Sequence, residues 1–359
     1  MSTRDLFNAW PVWSALIAAL VVTTLWFASL HPVVLAAALV AAVLAAVYHA
    51  EVIAHRVGEP AGTLVLAFSV TVIELGLIVT LMTGTEGGNP TLARDTVFAA
   101  VMLILNGIVG GCLLIGGLKY REQPFQQSGV SASLATLSVL TVVALVLPNY
   151  TVSEPGPVYS GSQLAFVAVV SLMLYIVFVS VQTVRHQDYF RPPIADTPGS
   201  ETGAAAPTAR AALRSFVLLI VCLVCVVLLA KSLSATVEAT VLRMGAPFAL
   251  IGIIIAALVL LPESLAALRA ARSNRIQTSL NLALGSALAT IGLTIPGVAL
   301  ISLIFDLPLS LGLSNKSEIL LILSLFVGSL SLATGRTTVL QGAIHLVLLG
   351  VYLFTTVIP

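Results

Sequence analysis

Apolar residues along this chain collect in long runs, each close to the length that crosses a bilayer. A membrane-spanning helix needs about 20 such residues, because the hydrocarbon core is ~30 Å thick and each residue rises ~1.5 Å. Runs of this kind lie near 12–29, 33–50, 62–83, 96–117, 129–147 and 162–184, and then near 213–230, 249–270, 279–303, 317–334 and 338–357. They predict an all-α integral membrane protein with about eleven transmembrane helices. Between the sixth and seventh runs lies RPPIADTPGSETGAAAPTAR, Arg191 to Arg210, which has almost nothing to bury and reads as a flexible linker.

Lysine and arginine sort by side. With the N-terminus inside, one face collects about twelve of the 16 basic residues, among them Arg56, Lys119, Arg121, Arg185, Arg269, Arg272, Arg275 and Arg336. The other face holds Arg94, Lys231, Arg243 and Lys316. The positive-inside rule therefore predicts a cytoplasmic N-terminus and an external C-terminus. Setting aside the first helix leaves two groups of five, and an odd number of spans per group forces opposite orientations. The expected organisation is an extra N-terminal helix over 1–30, a first five-helix repeat over 31–184, a flexible cytoplasmic linker over 185–212 and a second, inverted five-helix repeat over 213–359. Weak internal symmetry agrees: GTLVLAFSVTVIELGLIVTLM from Gly62 and IGIIIAALVLLPESLAALRAA from Ile251 each carry a glutamate at the same offset. A helix with a polar, glycine-containing break follows each, at Asn106-Gly107 and at Gly285-Ser286.

Composition narrows the partners. Of 359 residues, 58% are hydrophobic and 9% charged, too little polar surface for a water-soluble fold, so the bilayer is the expected surrounding. The net charge of +1 offers no concentrated basic face for nucleic acid. Cys112, Cys222 and Cys225 lie in apolar runs, where they act as small hydrophobes. Arg4 precedes the first apolar run and no cleavage site follows, so that run reads as a retained helix. Nothing in the pattern calls for a cofactor or sets an oligomeric state.

The chemistry rests on carboxylates inside spans. Glu74 lies ~18 Å into its helix from Gly62, near the midplane. An ionised carboxylate there costs at least ~2.5–3.5 kcal/mol, so such a residue faces a bundle interior or a water-filled cavity. Glu263 has the matching place in the second half, although Arg269 and Arg272 follow within two to three turns and can snorkel to the surface. Pro262 should kink that helix and bare carbonyl oxygens. Burial disfavours a charged carboxyl, so an empty pair would hold protons, while an arriving cation favours the ionised form and expels them. Glu74 and Glu263 are thus the candidate metal- and proton-binding residues of a cation/proton antiporter. Oxygen ligands suit hard cations such as Ca²⁺ and Na⁺. Asn106, Asn281 and Ser286 offer either ligand oxygens or close helix packing. Glu59 suits a helix start beside Pro60 or a proton entry site. His49 and His345 read as structural hydrogen-bonding groups.

These segments also carry a family resemblance. AEVIAHRVGEPAGTLVLAFSVTVIELGLIVTLM, NGIVGGCLLIGGLKYREQPF and LPESLAALRAARSNRIQTSLNLALGSALATIGLTIP resemble the calcium/proton exchanger branch of the calcium:cation antiporter superfamily, of the bacterial ChaA type. That resemblance implies one extra helix plus two inverted five-helix repeats, exchange of Ca²⁺, Na⁺ or K⁺ against H⁺, and Glu74 and Glu263 as the paired acids. Plant and fungal members typically have Gly-Asn four and three residues before each glutamate; here those positions are Val70-Thr71 and Val259-Leu260. Thr71 is the side-chain oxygen left there, and Na⁺ or K⁺ stay candidates beside Ca²⁺. Two other classes remain open at this point: a passive cation channel, and an intramembrane hydrolase using Ser286 with His345, for which no nucleophile motif exists.

Overall fold

The computed structural model describes residues 10–25, 30–58, 61–83, 90–191, 207–243, 245 and 247–358; Glu59, Asp196 and Glu201 lie outside them. Helices cover every apolar run seen in the sequence. They are α1 (Trp10–Thr24), α2 (Pro32–Val57), α3 (Ala61–Thr83), α4 (Leu92–Tyr120), α5 (Gln127–Tyr150), α6 (Gly161–Arg185), α7 (Ala209–Arg243), α8 (Ala249–Val259), α9 (Leu261–Arg272), α10 (Ile276–Phe305), α11 (Asn315–Leu332) and α12 (Val339–Val357). Among the described residues there is no strand, only an isolated bridge between Pro124 and Arg336. Among the described residues, eight helices are long and apolar enough to cross a membrane, or nine when the bent pair α8 and α9 is taken as one span.

Local sequence sets the helix ends. Pro32 occupies the first turn of α2, where its missing N–H costs nothing, and Gly58 closes that helix at φ 79°. Capping boxes open α6 (Ser160 with Gln163) and α12 (Thr338 with Gln341). Ser314 caps α11. Helix α7 continues through Lys231 to Arg243, well past the apolar run that predicted it. Cys112, Cys222 and Cys225 are buried free thiols.

Two compact units result, and each draws on both sides of the linker. The first comprises Met1–Asn89 and Thr202–Ile251, with α2 packed on α1, α3 and α7. The second comprises Pro90–Glu201 and Gly252–Pro359. Its tightest seam joins α4 to α12. A Cβ on Gly342 would lie 2.4 Å from the backbone nitrogen of Leu114, and one on Gly110 would lie 2.7 Å from the His345 Cβ. Small residues let membrane helices approach this closely, so that dispersion and interhelical polar contacts act at short range. Outward faces stay apolar: Phe166 on α6 is 68% exposed, and Leu340, Val347 and Phe354 line the outside of α12. Water would penalise such faces, whereas lipid chains solvate them.

Helices α4, α5, α6 and α10 each contain a π-helical stretch. In α4 it spans Leu103–Ile108 and includes the Asn106-Gly107 break expected from sequence. In α10 the outcome differs. Regular α-helix runs through Gly285-Ser286, and the widened turn falls at Thr290–Thr294. Pro296 accounts for the shift: it has no N–H to give the Gly292 carbonyl, so the hydrogen-bond ladder must slip before it.

Candidate functional site

Glu74 lies in the first unit, in the unbroken helix α3. Its side chain is 2% exposed. Thr71, Leu77 and Ile78, three or four positions away and therefore on the same helix face, are buried with it. The Thr71 hydroxyl donates to the Ala67 carbonyl at 2.8 Å, which uses its proton and leaves the oxygen's lone pairs able to accept or to ligate. Helix α3 packs close to α7 at Gly76, where a Cβ would meet Val227 at 2.9 Å.

Glu263 belongs to the second unit and has a different setting. Helices α8 and α9 meet at an angle of 56°, and Glu263 is in the first turn of α9 with Pro262 beside it. Sequence reasoning placed the kink at Pro262 correctly, but it put the glutamate within a long span. The structure puts it at a helix N-terminus, half-buried, where the partial positive charge of the first turn favours a carboxylate. Proline cannot donate to the Leu258 carbonyl, and the Ser264 hydroxyl donates to the Leu260 carbonyl at 2.6 Å. The Leu260 carbonyl thus accepts from both the Ser264 N–H and its hydroxyl, and the Leu258 carbonyl has no N–H donor at Pro262.

The supporting residues separate by what already holds them. Asn106, fully buried in the π-segment of α4, donates to Ser324 Oγ at 2.9 Å, and its Oδ1 lies 3.1 Å from His345 Nδ1. One amide thus joins α4, α11 and α12. Asn281 donates to the Phe190 carbonyl at 2.6 Å and accepts from Gln277 at 2.9 Å, tying α10 to the segment after α6. Ser286 is half-buried, and beside it a Cβ on Gly285 would meet nothing within 4 Å. Of the sequence candidates in α10, this stretch is the one that borders open space. His49 in the first unit lies 3.3 Å from Ser215 Oγ, the structural use expected of it.

Some buried polar residues escaped sequence reasoning. Ser324 completes the Asn106 site. Glu318, in the first turn of α11, accepts from Tyr150 Oη at 2.7 Å and Asn149 Nδ2 at 3.2 Å. Arg94 and Asp95 pair at 2.8 Å and reach the Gly312 carbonyl through Arg94 Nη1. The available signal was an unpaired-looking polar residue within or beside an apolar run, but its partner lies far off along the chain. Among the described residues no group of three or more His, Cys, Asp or Glu could hold a metal ion. Within each unit a cation would therefore meet at most a pair of such side chains, supplemented by hydroxyl, amide and carbonyl oxygens.

Helices long and apolar enough to cross a membrane, with outward apolar faces, are those of a multi-pass membrane protein, and its relatives make it a secondary transporter. The chain belongs to the sodium/calcium exchanger protein family, whose pattern matches residues 30–184 and 214–358. Within it the chain is a cation antiporter of the ChaA type, as its motifs implied. It is 48% identical to the putative ionic transporter y4hA of Sinorhizobium fredii over 89% of this chain and 87% of that one. It is 38% identical to the sodium-potassium/proton antiporter ChaA of Escherichia coli over 94% and 93%. Its fold is shared with the Ca²⁺/H⁺ antiporter protein YfkE, at 17% identity and a TM-score of 0.71, covering 99% of this chain and 100% of that one.

Proposed function

We propose that the protein exchanges Ca²⁺, Na⁺ or both, with K⁺ a further substrate, for protons by alternating access, and that Glu74 and Glu263 bind metal or protons competitively. The observation that carries this reading is Glu74: a carboxylate 2% exposed in the middle of an apolar span, within a family of cation exchangers. A buried carboxyl that takes up a cation must give up its proton, so the two ligands compete for the same oxygens. At Glu263 the first turn of α9 and the oxygens around the break would share the work of holding a hard cation.

Relatives named for sodium-potassium/proton and for Ca²⁺/H⁺ exchange support the two ends of the substrate range. Val70-Thr71 and Val259-Leu260 supply few side-chain oxygens around the acids, which favours activity toward monovalent ions beside Ca²⁺. In this reading eleven spans form an N-terminal helix over 1–30 and two inverted five-helix repeats, 31–184 and 213–359, around a cytoplasmic linker over 185–212. The family pattern matching once on each side of the linker supports the duplication. The N-terminus would be cytoplasmic in a bacterial inner membrane, the C-terminus external.

Everted membrane vesicles carrying a pH-sensitive dye test this. Adding Ca²⁺, Na⁺ or K⁺ should collapse an established proton gradient. Glu74→Gln and Glu263→Gln should each abolish the response while the protein still inserts. A cation flux that persists in both variants without proton movement would replace exchange with passive conduction.

A further inference from the structure

One end of the second unit is a plate of loops fixed by hydrogen bonds. Lys119 Nζ and Tyr120 Oη both donate to the Arg272 carbonyl at 2.8 Å. Gln123 Nε2 donates to Asn274 Oδ1 at 2.7 Å. The Phe125 N–H donates to the Gly335 carbonyl at 2.9 Å, and the Thr337 N–H to the Gln123 carbonyl at 3.0 Å. The segments after α4, α9 and α11 are thereby joined.

On this plate Lys119, Arg121, Arg269, Arg272 and Arg275 are all exposed. Of the nearby acids, Glu122 is engaged by Arg336 at 3.1 Å, and Asp188, in the segment after α6, by Arg191 at 3.2 Å. Among the described residues no ion pair joins any of the five to a carboxylate. Among the described residues, positive charge is thus concentrated on this surface without a carboxylate paired to it.

What lies next to the charge selects the partner. Leu118, one residue before Lys119, is 68% exposed, and Leu265, one turn before Arg269, is exposed too. A free phosphate gains nothing from apolar neighbours. A lipid places its phosphate on the guanidiniums and its acyl chain on the leucines. A headgroup with net negative charge is preferred over a zwitterionic one, whose own cation competes for the phosphate.

We propose that this plate binds the headgroup of an anionic phospholipid through Arg269, Arg272, Arg275 and Lys119, and so steadies α9, the half-helix whose first turn carries Glu263. The binding stands on the plate alone. Its consequence for transport rests on the exchange reading above.

The test offers purified protein an equal mixture of phosphatidylglycerol and phosphatidylcholine in detergent and measures by mass spectrometry which lipid it retains. The wild type should enrich phosphatidylglycerol, and R269Q/R272Q/R275Q should lose at least about tenfold of that enrichment. R336Q, whose guanidinium is held by Glu122, should keep it. If the triple variant does not fold, R269Q and R272Q singly should each lower the enrichment about fivefold. An unenriched wild type, or arginine variants that match it, would overturn the proposal. So would complete displacement of the lipid by inorganic phosphate, which would make the plate a site for free anions. In proteoliposomes, cation-driven proton flux should be higher with phosphatidylglycerol than with phosphatidylcholine alone, and the triple variant should lose the difference. Equal flux in both lipids would remove the role in steadying α9. Glu263→Gln separates the two claims, since it should lose flux and keep the lipid. A wild type that enriches lipid without exchanging ions would sink the exchange reading and spare the plate.

Discussion

Helix α3 and the pair α8–α9 each carry one glutamate, and they house it in opposite ways. Around Glu74 the helix is continuous and the side chain is buried beside Thr71, Leu77 and Ile78. Around Glu263 the helix is broken by 56°, the side chain is half-buried, and a fresh helix N-terminus faces it. The first setting penalises charge strongly and holds its geometry rigidly. The second supplies compensating dipoles and a joint at which the backbone can turn. A carboxylate can therefore sit deep within a continuous helix or at a broken one, and this protein has one of each.

The sharpest way to probe that contrast is to shorten each acid. Glu74→Asp and Glu263→Asp withdraw the carboxylate by one methylene, ~1.5 Å. In an unbroken helix the backbone cannot follow, so Glu74→Asp should lower cation-driven proton flux by about 100-fold. At the break α9 can shift to restore reach, so Glu263→Asp should cost about tenfold. Initial rates in vesicles at matched protein levels decide it. Equal losses would mean that the break contributes no adaptability.

A second contrast lies inside the other unit, between the α4–α12 seam and the stretch of α10 at Gly285. Gly342→Ala would push a Cβ to 2.4 Å from the backbone of Leu114, which has no side-chain rotamer with which to yield. The expected destabilisation is about 1–3 kcal/mol, read as a thermal midpoint several degrees lower in detergent. Gly285→Ala meets nothing within 4 Å and gains helix propensity, so the midpoint should hold or rise. A fall as large at Gly285 as at Gly342 would mean that the space beside it is occupied when the protein is in its membrane.

These differences mark how far the sequence could be read. Run length exposed the helices because span length is a local property, and Pro262 announced the break because a missing N–H is a local fact. The burial of Glu74 was legible for the same reason: an acid in an apolar run must be shielded from lipid. The composition of the compact units was not legible. Each unit takes residues from both sides of the linker, and periodicity does not say which distant helices pack together. Nor did Asn106 reveal Ser324 and His345, which lie more than two hundred residues away. Polar composition points to a break in α10 at Gly285-Ser286, whereas the helix is regular there and its widened turn lies before Pro296. There the absent donor outweighed the small polar residues.

The Asn106 site permits a smaller and more exacting measurement. Asn106→Ala removes a hydrogen bond to Ser324 Oγ and a contact to His345 Nδ1 in a fully buried place, and should cost roughly 1–2 kcal/mol. Ser324→Ala alone should cost less, because that hydroxyl donates to the Leu320 carbonyl at 2.7 Å and Asn106 would keep His345. In a double-mutant cycle by thermal unfolding the two should couple by about 1 kcal/mol. Strict additivity would mean that the pair is adjacent without being bonded in the membrane, and the π-segment of α4 would lose its clearest structural reason.

The smallest effect is expected at the loop plate, where bonds from Lys119, Tyr120, Gln123 and the backbone hold the loops without help from the Arg336–Glu122 pair. Arg336 and Glu122 pair at 3.1 Å, yet their side chains are 69% and 54% exposed. Water and salt screen such a pair, so Arg336→Gln should change stability by under ~1 kcal/mol, and added salt should erase the difference. The backbone bonds beside it, from Phe125 to Gly335 and from Thr337 to Gln123, remain in the variant. Thermal unfolding of wild type and Arg336→Gln at low and high salt tests this directly. A loss that is large and survives high salt would show that the guanidinium itself holds the loops together, and the plate would then depend on its charges for its shape as well as for what it attracts.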